Sequence, residues 1–266
     1  SADPSAPLYP DLLDPRAVQT FIELTHEGYL RHCGDLFGAK IPCVFTDEPR
    51  MPNPPWTLCV PGDFGASFGY DITEFLPALF HPGALGEAGL QARIDLYDYA
   101  SRRFAEVYFG ALRSWCRGRG LLSIGHVGGD DNISGSVRHG YGHILRALRA
   151  LDLPGVDAIL RQIFPGEPEV IPYRWGDRVN RIPVCDNNPF PRYAASAAAQ
   201  TGSRWAFTES CAVYGSGLTC AEIRAVEPCA CRRGVEESRH HHAGIGSAED
   251  PLRTLQAGEP VGDEPV

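Results

Sequence analysis

The strongest constraint on this chain is a repeated unit: a helical pattern, then a short, almost continuously apolar segment, then a charged residue. Ile41 to Phe45 leads into Thr46-Asp47-Glu48-Pro49, and Leu121 to Ile124 leads into Gly125-His126. Val156 to Ile159 carries Asp157 within it, and Trp205-Ala206-Phe207-Thr208 runs into Glu209. Short segments that are apolar on both alternating faces read as strands buried on both sides, and strands that alternate with helices form parallel sheets. The expected fold class is α/β with a parallel sheet, and a barrel or a doubly wound sheet would give the same local pattern. No G-x-G-x-x-G follows any of these strands, so a dinucleotide-binding sheet lacks its fingerprint.

The helices between them are marked by caps and periodicity. Asp14 followed by Pro15 reads as an N-cap and first helical residue, and Ala17, Phe21, Leu24 and Tyr29 then recur at helical spacing. The clearest helix is expected over 94–116, where Tyr97, Ala100, Phe104, Val107, Tyr108, Ala111, Leu112 and Trp115 form one apolar stripe. Further helices are expected over 138–151 and 192–201. Residues 50–92, rich in proline, glycine and aromatics, read as a long connection overhanging an active face.

Composition narrows the partners. A net charge of −9 argues against a nucleic-acid binder, which would show a basic excess. No apolar run reaches the roughly 18 residues of a membrane helix, so no membrane partner is expected. The nine cysteines fall at irregular spacing, and Cys33, Cys43, Cys59 and Cys116 lie in apolar surroundings as small hydrophobes rather than in a disulfide framework. The N-terminus shows no signal-peptide pattern, which favours a cytoplasmic location, and the only methionine is Met51, which favours a fragment or processed product. Nothing in the sequence sets the oligomeric state.

Chemistry-bearing residues gather at the strand ends: Asp47 and Glu48, then His126 with Asp130 and Asp131, then Asp157, then Glu209. The C-terminal edge of a parallel sheet is where α/β active sites lie. Cleaving a glycosidic bond takes two carboxyl groups, one donating a proton and one acting as nucleophile or base, and Glu48 and Glu209 fit that division. Strand alternation would point Glu48 and Asp47 to opposite faces, so that only one of them aims at a shared site. The structural alternatives are a capped turn for Asp47-Glu48-Pro49, an arginine-paired buried glutamate for Glu209, and a histidine that only hydrogen-bonds across the sheet edge for His126. Trp56, Trp175, Tyr141 and Tyr214 are candidates for stacking on sugar faces, against core packing for each singly. Cys229, Cys231 and His240-His241-His242 lack zinc-finger spacing. No G-x-S-x-G elbow is present for a serine hydrolase.

The strings FTDEP, PWT, FGYDITEFLPALF, GHVGGDDN, ALDLPGVDAI, YAASAAAQTG and FTESCAVYGSGLT, in this order over residues 10–224, resemble a family of bacterial glycoside hydrolases that includes α-L-rhamnosidase-like enzymes built on a (β/α)8 barrel. The resemblance implies a parallel (β/α) barrel of which this chain holds about strands 4 to 7. Asp47-Glu48-Pro49 is similar to the Asn-Glu-Pro at the fourth strand of many barrel glycosidases, where the glutamate is the acid/base. Glu209 then falls at the seventh strand, where such enzymes place a second catalytic glutamate, with strands at Ile124 and Ala158 between. His126 with Asp130 and Asp131 resembles the family's Gly-His followed by an acidic residue, which implies binding of substrate hydroxyls, with Asp47, Asp157, Trp56 and Tyr214 also on the substrate side.

What the resemblance implies for activity is hydrolysis of rhamnoside-like glycosides, with a carbohydrate as the partner and no cofactor required. Calcium, present in some such enzymes, would find oxygen ligands in Asp130, Asp131 and Glu209. The alternative is a catalytically inactive carbohydrate-binding remnant, because an open half-barrel exposes sheet edges. The domain organisation expected is a partial barrel over 1–224 and a tail over 225–266 whose composition reads as disordered. In that tail Arg233-Gly234-Val235 matches the family's eighth strand in part, but Glu236-Glu237-Ser238-Arg239 does not continue it, as a frameshift would produce.

Overall fold

The computed structural model describes residues 9–130, 141–159, 171–175, 178–182, 190–211, 218–221 and 223–224. Helix α1 (Pro15–Leu24) starts as its sequence dictates: Asp14 accepts the Arg16 amide at 2.9 Å, Pro15 takes the first turn, and Val18 and Ile22 are buried. Helix α2 (His26–Cys33) follows at once and delivers the chain to strand β1 (Cys43–Thr46).

Residues 50–92 are not a long irregular connection. They form α3 (Val60–Phe68), closed by Gly69 at φ 78°, then a short 3-10 turn, Ile72–Phe75, capped by Asp71. Then come α4 (Leu76–Phe80) and the first turns of α5 (Gly86–Phe104). The proline and glycine there mark helix starts and stops rather than loop. Helix α5 begins well before the expected 94, because Leu90 and Ile94 near its start are exposed and give no buried stripe to read. It passes through a π-helical stretch, Ala105–Gly110, into α6 (Ala111–Arg117).

Strand β2 (Leu122–Gly125) follows α6, and α7 (Ile144–Arg149) precedes β3 (Leu153–Ala158). The expected 138–151 helix lies partly outside the described residues. Pro154 sits inside β3, not in a turn before it, at the start of the strand where a missing amide is tolerated. Strands β4 (Ile171–Trp175) and β5 (Arg178–Ile182) form an antiparallel hairpin that the sequence reading did not anticipate. Helix α8 (Pro191–Gln200) then leads to β6 (Phe207–Ser210).

The sheet has the order β1-β2-β3-β6 with every pairing parallel. The four strands are those read from the sequence, in chain order across the sheet apart from the intervening hairpin. The core packs the helices against them: Phe64, Leu96, Phe104, Phe109, Leu112, Leu121 and Leu148 are all buried in one cluster, and Val156, Ala158, Phe190 and Ala194 form a second. Each large apolar side chain so buried contributes roughly 1.5–3 kcal/mol. Among the described residues no helix is long and apolar enough to cross a membrane. The cysteines described are free thiols, with Cys116 buried. The tail over 225–266 lies outside the described residues.

Candidate functional site

The parallel register is staggered: the ends of β1 and β2 are level with Pro154 near the start of β3, while β3 and β6 end together at Ala158 and Ser210. Thr46 pairs with Gly125, and Asp157 pairs with Glu209. Beyond β2 the His126 amide still donates to the Thr46 carbonyl at 3.4 Å, so His126 is held against the end of β1. The Thr46 side chain is fixed from behind by a 2.9 Å hydrogen bond with the Tyr108 hydroxyl, presented by the π-helical stretch. Burial pushes the Tyr108 hydroxyl up to about 12, which keeps it protonated in that bond.

His126 is the centre of the cluster. It is 1% exposed, with the rings of Phe45 and Phe207 at 5.4 and 6.3 Å. Its Nε2 lies 3.1 Å from Glu209 Oε2 and 3.7 Å from Asp47 Oδ1. Opposite an ionised carboxylate, which only accepts hydrogen bonds, Nε2 is the donor, in the tautomer that carries its proton there. Nδ1 is buried and has no hydrogen-bond partner among the described residues. Glu209 is thus paired with a histidine, and no arginine pairs with it among the described residues.

Asp47 and Glu48 both approach His126, contrary to the expectation from strand alternation. Strand β1 ends at Thr46, and Glu48 adopts φ 40°, a left-handed turn that removes the alternation. Donor atoms of Asp47, His126 and Glu209 lie within 4.8 Å of one another, and so do those of Glu48, His126 and Asp157. Asp47 is 68% exposed, Glu209 42% and Glu48 32%, so the rim of the cluster faces solvent while its floor is buried.

Glu48 is positioned by neighbours that the sequence reading did not single out. Arg50 Nη2 lies 3.6 Å from its Oε2. Gly128 leaves room for it: a Cβ there would meet Glu48 Oε2 at 3.0 Å and the Tyr141 hydroxyl at 2.8 Å. Tyr141 is 1% exposed, and burial raises the pKa of its hydroxyl. It supports the floor and does not present a stacking face. Trp56 is partly buried and packs against the main core cluster. Arg50 sits two residues after Glu48, directly behind the FTDEP stretch, which is the signal that could have found it.

The other expected residues divide clearly. Asp130 is buried, and its Oδ2 accepts the Asp157 amide at 2.7 Å, which ties the loop after β2 to β3. Asp157 is itself buried on the floor. Asp131 and Tyr214 lie outside the described residues, as does the side chain of Trp175.

Of the oxygen ligands expected for calcium, Asp131 lies outside the described residues, and the described clusters that could hold an ion are other sets. Calcium takes six to eight oxygens, whereas each cluster combines two carboxylates with one imidazole, a mixed set better matched to a transition ion. Asp130 already holds a backbone amide. Chemically, the arrangement offers several carboxyl groups in two degrees of burial around one imidazole, open on one side.

No protein-family model matches the chain, and no curated protein matches it. Among solved structures, a rhamnosidase from Novosphingobium sp. PP1Y is similar over 91% of this chain with a TM-score of 0.64 and 18% sequence identity. The chain covers 22% of that structure's length. The likeness is one of fold: a mixed α/β arrangement around a parallel sheet.

Proposed function

We propose that this chain carries the catalytic site of a glycoside hydrolase, on a sheet that is part of a (β/α) barrel. The observation that carries the reading is the convergence of Asp47, Glu48, Asp157 and Glu209 on one buried histidine at the C-terminal ends of four adjacent parallel strands. Glu48 and Glu209 are the partly exposed glutamates of the cluster and form the proposed pair. One protonates the leaving glycosidic oxygen. The other either attacks the anomeric carbon or activates water. His126 holds Glu209 through Nε2–H, and Arg50 holds Glu48. Asp47 at the rim and Asp157 below it are proposed to bind sugar hydroxyls. Acid and base are both side chains, so no cofactor step is invoked.

The substrate class we propose is a rhamnoside or a close 6-deoxy relative, in keeping with the motifs and with the rhamnosidase whose fold is similar. Purified protein offered a panel of aryl glycosides is expected to release phenol from the aryl-rhamnoside fastest. Proton NMR of the first sugar anomer formed separates inversion from retention. A panel with no turnover on any glycoside would remove the hydrolase reading.

A second reading, carbohydrate binding without hydrolysis, is favoured by one feature: both glutamates are already engaged within the chain, Glu209 by His126 and Glu48 by Arg50. Saturable binding of rhamnose by calorimetry, together with no turnover, would select it.

A further inference from the structure

Away from the strand-end cluster, α5, α6 and α7 enclose an open cleft of about 640 Å³ lined by Arg102, Arg113, Arg117, Arg146 and Arg149. Its location is defined by Asp152, the residue before β3, which accepts the backbone amide and hydroxyl of Ser123 at the start of β2. The cleft therefore belongs to the N-terminal end of the strands, opposite the proposed active site. Five guanidinium groups gather here in a chain whose net charge is −9.

Among the described residues the acids around the cleft do not neutralise it. Asp152, Asp98 (paired with both Arg102 and Arg146) and Glu106 are three described carboxylates against five arginines, which leaves a surplus of two positive charges among them. More telling is how the arginines are held. Arg113 and Arg117 both donate through Nε to the same oxygen, Asp152 Oδ1, at 2.9 and 2.7 Å. Asp152 is buried, so it fixes the base of both guanidinium planes. Their Nη atoms make no hydrogen bond among the described residues. Arg149 donates through Nε to Leu145 and through Nη1 to Gln200, which leaves its Nη2 edge without a partner among the described residues. Two arginines anchored on one carboxylate, with their forked ends unused, make a preorganised receptor for an oxyanion.

We infer that this cleft is a second binding site, for a ligand bearing phosphate or sulfate groups. The terminal Nη pairs match the spacing of oxygens on a tetrahedral anion. The arginines come from three helices, which suits a ligand with more than one anionic group. The volume accommodates a small molecule, and the site is independent of the hydrolase reading.

The test is calorimetric titration of the full chain with inorganic pyrophosphate, and in a separate arm with sulfate, at constant ionic strength set by sodium chloride. Saturable binding of one equivalent is expected, and the tighter of the two anions identifies the ester type. Arg117→Gln is expected to weaken binding roughly tenfold or more, the scale of one charge-assisted hydrogen bond. Arg149→Gln is expected to weaken it several-fold, and since Arg149 does not touch Asp152 it keeps the test valid if Arg117→Gln perturbs folding. No binding of either anion above the chloride background overturns the proposal, as does binding unchanged in both variants.

Discussion

Gly155→Ala provides a quantitative probe of the sheet beneath the site. Gly155 pairs with Phe207 in the β3–β6 register, and the Phe207 ring lies across it. A Cβ at 155 would come within 2.0 Å of Phe207 Cε1 and 2.4 Å of Cζ. The ring cannot simply swing aside, because it is 7% exposed and packed between Phe45 at 5.8 Å and His126 at 6.3 Å. Overpacking of this kind costs about 1–3 kcal/mol. Phe207→Ala alone costs about 3–5 kcal/mol. In the double variant the new methyl occupies space the ring has left, so the strain disappears. The pair together should cost only about 3–5 kcal/mol, short of the sum of the singles by the full strain of about 1–3 kcal/mol. Urea unfolding followed by far-UV circular dichroism measures all four corners of this cycle. Additivity of the two substitutions within about 0.5 kcal/mol would refute the packing described here.

Three further outcomes follow from named contacts. Burial depresses the pKa of His26, which sits edge-on to Phe21 and Trp115, below its usual 6.5. The unfolded chain then binds the proton more readily, so this stabilisation is present above about pH 6.5 and is lost as pH falls through the folded value. The unfolding free energy of the native protein should drop between pH 7.5 and 5 more than that of His26→Gln, and parallel profiles would contradict this. Tyr108→Phe leaves the buried Thr46 hydroxyl without its 2.9 Å partner and should cost about 1–3 kcal/mol in urea unfolding, whereas an unchanged midpoint would show the bond to be dispensable. Asp152→Asn weakens the anchor shared by Arg113, Arg117 and Ser123 and should lower stability by about 1–3 kcal/mol, with a loss that shrinks in high salt.

The parallel sheet was legible because β2 and β3 are buried on both faces and each strand is a short, mostly apolar run after a helical pattern. Ile124, Val156 and Phe207 stand in short, mostly apolar runs with charged residues at or near their ends, so both the strands and the location of the chemistry could be read together. The helices of residues 60–80 were hidden because proline and glycine mark helix boundaries as readily as loops, and only the caps at Asp71 and Gly69 tell them apart. The β4–β5 hairpin does carry a turn signal in the sequence, the two-residue Gly176-Asp177 between Ile171–Trp175 and Arg178–Ile182, but neither flanking run is apolar enough to read as a buried strand. At the site, residue types and strand ends were readable, but the joint approach of Asp47 and Glu48 was not. It depends on the positive φ of Glu48, which no periodicity encodes. Arg50 and Gly128 escaped notice for a similar reason: their roles are set by a backbone path rather than by a pattern. Tyr141 is absorbed by the core around it, while Trp56 packs against the same cluster and stays partly exposed.

The central claim is that Glu48 and Glu209 act as a pair across the strand-end cluster. The direct measurement is kcat on an aryl-rhamnoside for the native protein, Glu48→Gln and Glu209→Gln, with thermal unfolding recorded alongside to confirm that each variant is folded. Each substitution is expected to lower kcat by about a hundredfold or more, the scale of a lost acid/base or nucleophilic group. A folded variant of either glutamate that hydrolyses within about twofold of the native rate, far short of that loss, would contradict it.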